Sequence, residues 1–154
     1  LRTSSSIARS FTSVIERVFL DTNTLVYFAD SDVGKAARAE ALLLAGGIVS
    51  VQVLNELTLA CLRKLGMNWS EVDEVLRVVR TACRIEPLTE ATFDLGRQLA
   101  ERYQFRVYDA MIVASALLAG ADTLYSEDMH DGLLVEDRLR IRNPFLARSV
   151  QDTP

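Results

Sequence analysis

Ten consecutive residues, Ala110 to Ala119, carry a single polar side chain, Ser115. A helix through this stretch has almost no polar face, so it is stable only where other elements cover it all round. The run is about half of the ~20 residues that cross a bilayer, so no transmembrane helix is expected. It is instead the expected central helix of a globular fold. Tyr108-Asp109 opens it, and Gly120 ends it ahead of a short apolar segment, Thr123-Leu124-Tyr125.

The remaining elements alternate around that helix. Val18-Phe19-Leu20 is a short apolar run followed at once by Asp21-Thr22-Asn23-Thr24, the pattern of a buried strand that ends in a polar turn and a helix start. Gly34 to Ala45 reads as a helix closed by Gly46-Gly47, and Ile48-Val49-Ser50 as a second buried strand. Leu54, Leu57, Cys61 and Leu65 recur at helical spacing before Gly66. Ser70 with Asp73 predicts a capped helix to about Cys83, Pro87 with Ile85 and Leu88 an extended link, and Thr89 a helix to about Tyr103 resting on Phe93, Leu95 and Leu99. Arg138 to Arg142 alternates strictly, as a half-exposed edge strand does, and Pro144 ends it. Strands separated by helices predict an α/β three-layer sandwich with a mainly parallel central sheet flanked by helices.

The 154 residues suit one domain with its own core. Residues 18–146 are expected to form it, between a flexible N-terminal extension (1–17), which lacks the apolar block of a secretory signal, and a C-terminal tail (147–154). Cys61 and Cys83 fall in predicted helices among apolar neighbours, which favours reduced thiols and a cytoplasmic setting. A net charge of -4 argues against holding nucleic acid by bulk positive charge, so any such contact must be local. Arginine makes up 15 of the 17 basic residues; it suits bidentate phosphate contact, though codon bias explains the skew equally well. A lone histidine, His130, and no serine or cysteine in a nucleophile setting argue against a hydrolase triad. Gly-rich and Walker phosphate loops are absent, so nucleotide cofactors are not expected.

Four carboxylates remain. Asp109 faces the apolar Ile112, Val113 and Ala116 one turn on, where an unpaired acid is costly unless it caps the helix, is hydrogen-bonded or meets a cation. Asp21 stands where a strand gives way to a helix, the edge of an open α/β sheet where ligands bind, and a cap explains it too. Asp128 bears the same relation to Thr123-Leu124-Tyr125, with Ser126 two residues earlier to orient it, while Glu56 sits at the margin of its helix's apolar stripe, as a surface glutamate also would. All four fall near the carboxyl ends of predicted strands. Crowded carboxylates repel one another unless a cation neutralises them, and hard oxygen ligands select Mg²⁺ or Mn²⁺ over Zn²⁺.

Val18-Phe19-Leu20-Asp21-Thr22-Asn23, Asn55-Glu56-Leu57, Tyr108-Asp109-Ala110-Met111-Ile112-Val113-Ala114 and Leu124-Tyr125-Ser126-Glu127-Asp128 resemble, in order, the four signatures of the PIN-domain ribonucleases, nearest the VapC-type toxins of toxin-antitoxin pairs. The resemblance implies that Asp21, Glu56, Asp109 and Asp128 bind metal and catalyse, with Ser126 and Asn23 in support and Asp131 competing with Asp128 for the fourth place. It implies metal-assisted endonucleolytic hydrolysis of RNA, a homodimer, and a VapB-like antitoxin inserted into the acidic groove. Arg138, Arg140 and Arg142, projecting from one face, with Arg102 and Arg106, are the candidate RNA contacts. Two rivals stand beside this reading. One is a catalytically silent interaction domain of the same fold. The other is a phosphotransferase or phosphatase of the haloacid dehalogenase type using Asp21, against which Asn23 stands where a second aspartate is expected.

Overall fold

The structure, a computed structural model, describes residues 16–30 and 33–147. Apart from Glu16, Arg17 and Ala147, the expected extension and tail lie outside the described residues. The chain runs β1 (Val18–Leu20), α1 (Thr22–Ala29), α2 (Val33–Leu44), β2 (Gly47–Ser50), α3 (Val51–Arg63), α4 (Trp69–Ala82), β3 (Cys83–Glu86), α5 (Glu90–Tyr103), α6 (Val107–Leu118), β4 (Thr123–Tyr125), β5 (Leu134–Val135) and β6 (Leu139–Arg142). One six-stranded sheet has the order β3-β2-β1-β4-β6-β5, parallel except where β5 meets β6. This is the mainly parallel α/β sheet that the alternation of elements predicts.

The central helix behaves as its composition requires: every residue of α6 from Ala110 to Leu117 is buried. It packs along α5 and reaches α3 and β2. Gly96 faces α6 closely: a Cβ there would stand 2.6 Å from the Met111 sulfur, so a larger residue would require the Met111 side chain to shift. The Ser115 hydroxyl is buried with no partner among the described residues. An unsatisfied buried hydroxyl costs roughly 1–3 kcal/mol, and alanine leaves almost no cavity in its place. We therefore expect Ser115→Ala to unfold at a temperature equal to or above that of the parent in a thermal melt. A loss of more than about 1 kcal/mol would mean that the hydroxyl is bonded after all.

Four local expectations need correction. Cys83–Glu86 is a strand rather than part of a link; it pairs with β2 from Gly47↔Cys83 to Ser50↔Glu86, and the neighbouring Pro87 disguised it. Residues 139–142 are not an edge strand, since β6 lies between β4 and β5, with Leu139 and Ile141 fully buried. The cap of α4 is Asn68, not Ser70: its side chain accepts from the Glu71 amide at 3.0 Å, and the Glu71 carboxylate accepts from the Asn68 amide at 2.8 Å. On α5, Thr92, Gly96 and Leu99 are the buried positions, while Phe93 is 57% exposed. Thr89 does cap α5, as expected.

Candidate metal centre

Strand order reverses direction across β1 and β4, which run side by side in register from Val18↔Thr123 to Leu20↔Tyr125. The crevice beyond the carboxyl ends of two such strands is the usual ligand site of an open parallel sheet. Asp21 follows β1 there and Ser126 follows β4. Asp21 is 4% exposed, and its carboxylate accepts from the Ser126 hydroxyl at 2.7 Å, the Thr22 amide at 2.7 Å and the Asn23 amide side chain at 3.4 Å. It caps α1 and faces the crevice at once.

Ser126 is fully buried, and its hydroxyl also accepts from the Met129 amide at 3.3 Å. Sequence reasoning paired this serine with Asp128; the structure gives its hydroxyl to Asp21. Asn23 ties together the segments that follow β1 and β4, since its side-chain oxygen accepts from the Glu127 amide at 3.2 Å.

Asp21, Glu56, Asp109 and Asp128 line a single cleft of about 400 Å³. Glu56, on the second turn of α3, is half-buried and accepts from the Thr22 hydroxyl at 3.3 Å. Asp109 sits in the first turn of α6, but the cap is Arg106, which makes no side-chain capping bond, so helix capping does not account for this acid. Asp128 is exposed at the rim. Asp131 is turned to another task, accepting from the Asn143 amide at 2.7 Å, and does not line the cleft.

The electrostatics follow from burial. Desolvation pushes Asp21 up to about 7, further raised by the charges of Asp109 and Glu56, although the bonds from Ser126 and Thr22 pull the other way. Burial likewise raises Glu56, opposed by the Thr22 bond and reinforced by Asp109. Burial raises Asp109 as well, with Arg106 lowering it and Asp128 raising it. The acids thus feel one another across the cleft. As they stand, no three acidic, histidine or cysteine side chains among the described residues are gathered closely enough to hold an ion. The donor set itself, carboxylate oxygens whose protons a cation would displace, fits a hard divalent ion.

Sequence reasoning overlooked Thr22, Lys64 and the pairing of Glu127. Thr22 and Lys64 line the cleft with Glu127, which is ion-paired to Lys35. Lys35 also donates to the Tyr27 hydroxyl at 3.0 Å and lies 4.5 Å from that ring's centre. Burial alone would raise Glu127, but Lys35 and Tyr27 outweigh it and hold this carboxyl low. A fifth acid at the cleft wall is thereby already neutralised. The lysine-glutamate separation of 92 residues left no local signal of the pair.

The arginines proved unequal. Arg102 pairs with Glu136 at 2.6 Å, Arg138 donates to the Leu117 carbonyl at 2.9 Å and Arg140 to the Gly132 carbonyl at 2.8 Å. Arg138 lies just before β6, and because Arg138 and Arg140 are bonded to carbonyls the three alternating arginines do not form one free face. Arg142 is exposed, and Arg106 is exposed beside Asp109.

The PIN domain family's sequence profile matches residues 18–130. No curated protein matches the chain. Among solved structures the chain is similar to a Mycobacterium tuberculosis VapC toxin described as cleaving the sarcin-ricin loop, with TM-score 0.61 and 19% identity over 72% of this chain and 89% of that one. A toxin-antitoxin complex from Klebsiella pneumoniae gives TM-score 0.61 and 18% identity over 82% and 97%. DNA-bound VapBC from Salmonella typhimurium gives 0.59 and 18% over 84% and 99%. At these identities the structural likeness is one of fold, while the profile covers most of the chain. The chain is therefore a member of the PIN-domain family.

Proposed function

We propose that the chain is a divalent-metal-dependent endoribonuclease and the toxin of a toxin-antitoxin pair. The observation that carries this reading is the convergence of Asp21, Glu56, Asp109 and Asp128 on one cleft at the strand-order switch. Membership in a family whose members are generally nucleases supports it, as does the likeness in fold to toxins solved with their antitoxins. Mg²⁺ or Mn²⁺ bound among these acids would lower the pKa of a water and offset the charge that builds on the phosphate.

The protein's own part is to hold the acids. Asp21 is the fixed point, locked by Ser126 and by the start of α1. Glu56, Asp109 and Asp128 must turn their side chains inward to share an ion with it, which their half-buried or exposed positions permit. Glu56, held by Thr22, is placed to orient or deprotonate the attacking water. Asp128 takes the fourth role, because Asp131 is engaged by the Asn143 amide. Lys64 and Arg106 supply local positive charge for an RNA backbone despite the chain's net charge of -4.

This chemistry uses water rather than the ribose hydroxyl as nucleophile. End analysis of cleaved RNA should therefore find no cyclic ribose phosphate. Cyclic ends that form equally in EDTA would refute the reading. Ser126→Ala should raise the Mn²⁺ concentration needed for half-maximal cutting by about 10- to 100-fold, the usual cost of losing the group that orients a metal ligand. An unchanged metal requirement would remove Ser126 from the site.

An acidic groove also suits an arginine from a VapB-like antitoxin. That partner, the homodimer expected of this family and a cytoplasmic setting complete the proposal. Both cysteines are buried free thiols, and no described helix is long and apolar enough to cross a membrane.

A further inference from the structure

Asp109 and Asp128 form a wall of two spaces at once. On one side is the acidic cleft; on the other is a second chamber of about 400 Å³, lined also by Tyr103, Phe105, Arg106 and His130. The rings of Tyr103 and Phe105 stack with centres 5.7 Å apart and planes 27° apart, and the Tyr103 hydroxyl accepts from the Glu136 amide at 2.9 Å. Between them Gln104 takes a left-handed backbone (φ 60°) and ties its side chain to the Glu101 carbonyl at 2.8 Å. The aromatic wall is thus braced on both sides. Arg106 and His130 are exposed, and among the described residues neither side chain makes a hydrogen bond or a close ion pair.

We infer that this chamber receives the base of a nucleotide adjoining the bond to be cut. The inference rests on the nuclease reading above and names how that site holds its substrate. Two carboxylates in the wall repel a phosphate from the chamber's interior, so its occupant is an uncharged group. The exposed Arg106 guanidinium, which no hydrogen bond or close ion pair among the described residues engages, suits a phosphate just outside, and ring faces suit a stacked base. A base joined to its phosphodiester has both parts at the required separation. The base lies against Phe105 and His130, while Arg106 meets the linking phosphate.

The test uses Glu56→Gln, which slows cutting without touching the chamber wall, and measures fluorescence anisotropy with a labelled single-stranded oligoribonucleotide. Moving one abasic ribose along the strand should weaken binding at one position by about 5- to 30-fold, the cost of one lost base stack. Adding His130→Ala, an exposed change that spares the core, should weaken the intact strand comparably and the abasic strand no further. Arg106→Gln should weaken every strand and lower the salt slope by about one. Binding that ignores every abasic position, or His130→Ala acting equally on intact and abasic strands, overturns the chamber assignment. If RNA is cut by the parent while binding stays base-independent, the chamber alone fails. If binding is base-dependent but the parent cuts no RNA, the nuclease reading fails and the chamber is a base-binding site without a bond to cut beside it.

Discussion

Asp21→Asn is expected to lower RNA cleavage by at least roughly 10²–10³-fold, the scale of losing one preorganised electrostatic group, while raising the stability of the metal-free protein. The two effects share a cause. Asp21 is nearly inaccessible and surrounded by other acids, so its charge is costly without a cation. Asparagine keeps the shape; its single carbonyl oxygen can still accept from the Thr22 amide, while its NH2 group takes the other position, where the Ser126 hydroxyl must turn to accept, and it offers no charge to a metal. A rate assay in Mn²⁺ paired with a melt in EDTA checks both. A variant that is inactive and also less stable would mean that Asp21 is chiefly a structural cap.

The second large effect is stabilisation by divalent ions and its dependence on pH. In the folded state Asp21 titrates near 7, against 3.8 for an ordinary aspartate. Between these values the folded state keeps a proton that the unfolded state has lost. Without metal, stability should therefore fall as pH rises from about 4 to about 7 and level off above that. Glu56 and Asp109, also raised, act in the same direction. Divalent ions need the deprotonated acids, so Mn²⁺ should stabilise strongly at pH 8 and little at pH 5. At about 100 times its Kd, an ion that binds only the folded state contributes roughly 2.7 kcal/mol, or a Tm rise of about 5–10 °C for a chain of this size. Calorimetry across pH with and without Mn²⁺ measures this directly. A pH-independent Tm in EDTA, with no response to Mn²⁺, would leave the cleft without a metal.

Much of this was legible in residue order, for identifiable reasons. The apolar run from Ala110 announced a covered helix because nothing polar interrupts it but Ser115, and Asp109 stood out against that background. Asp21 was legible because a strand, an acid and a helix follow in immediate succession. What stayed hidden depended on partners distant in the chain. Ser126 is 105 residues from the aspartate that it holds, so its proximity to Asp128 was misleading. Cys83–Glu86 is a strand by virtue of pairing with β2, a tertiary fact that its own composition does not announce. The period-two arginines were read correctly as a strand but given the wrong setting, because β5, the true edge, is only two residues long. Asp131 and Asp128 look alike locally; only the Asn143 amide, 12 residues on, distinguishes them.

The most direct test of the four-acid centre is RNA cleavage by the pure protein in Mn²⁺ on a pool of structured RNAs, repeated in EDTA and with Asp109→Asn. Asp109 is the suitable target, because it accepts no capping bond and lies at the start of an otherwise apolar helix, so asparagine should leave the fold unchanged. The expected result is cleavage by the parent that disappears in EDTA and in the variant, with the variant melting at or above the parent's temperature. Cleavage that persists undiminished in both controls would contradict a metal centre at these acids.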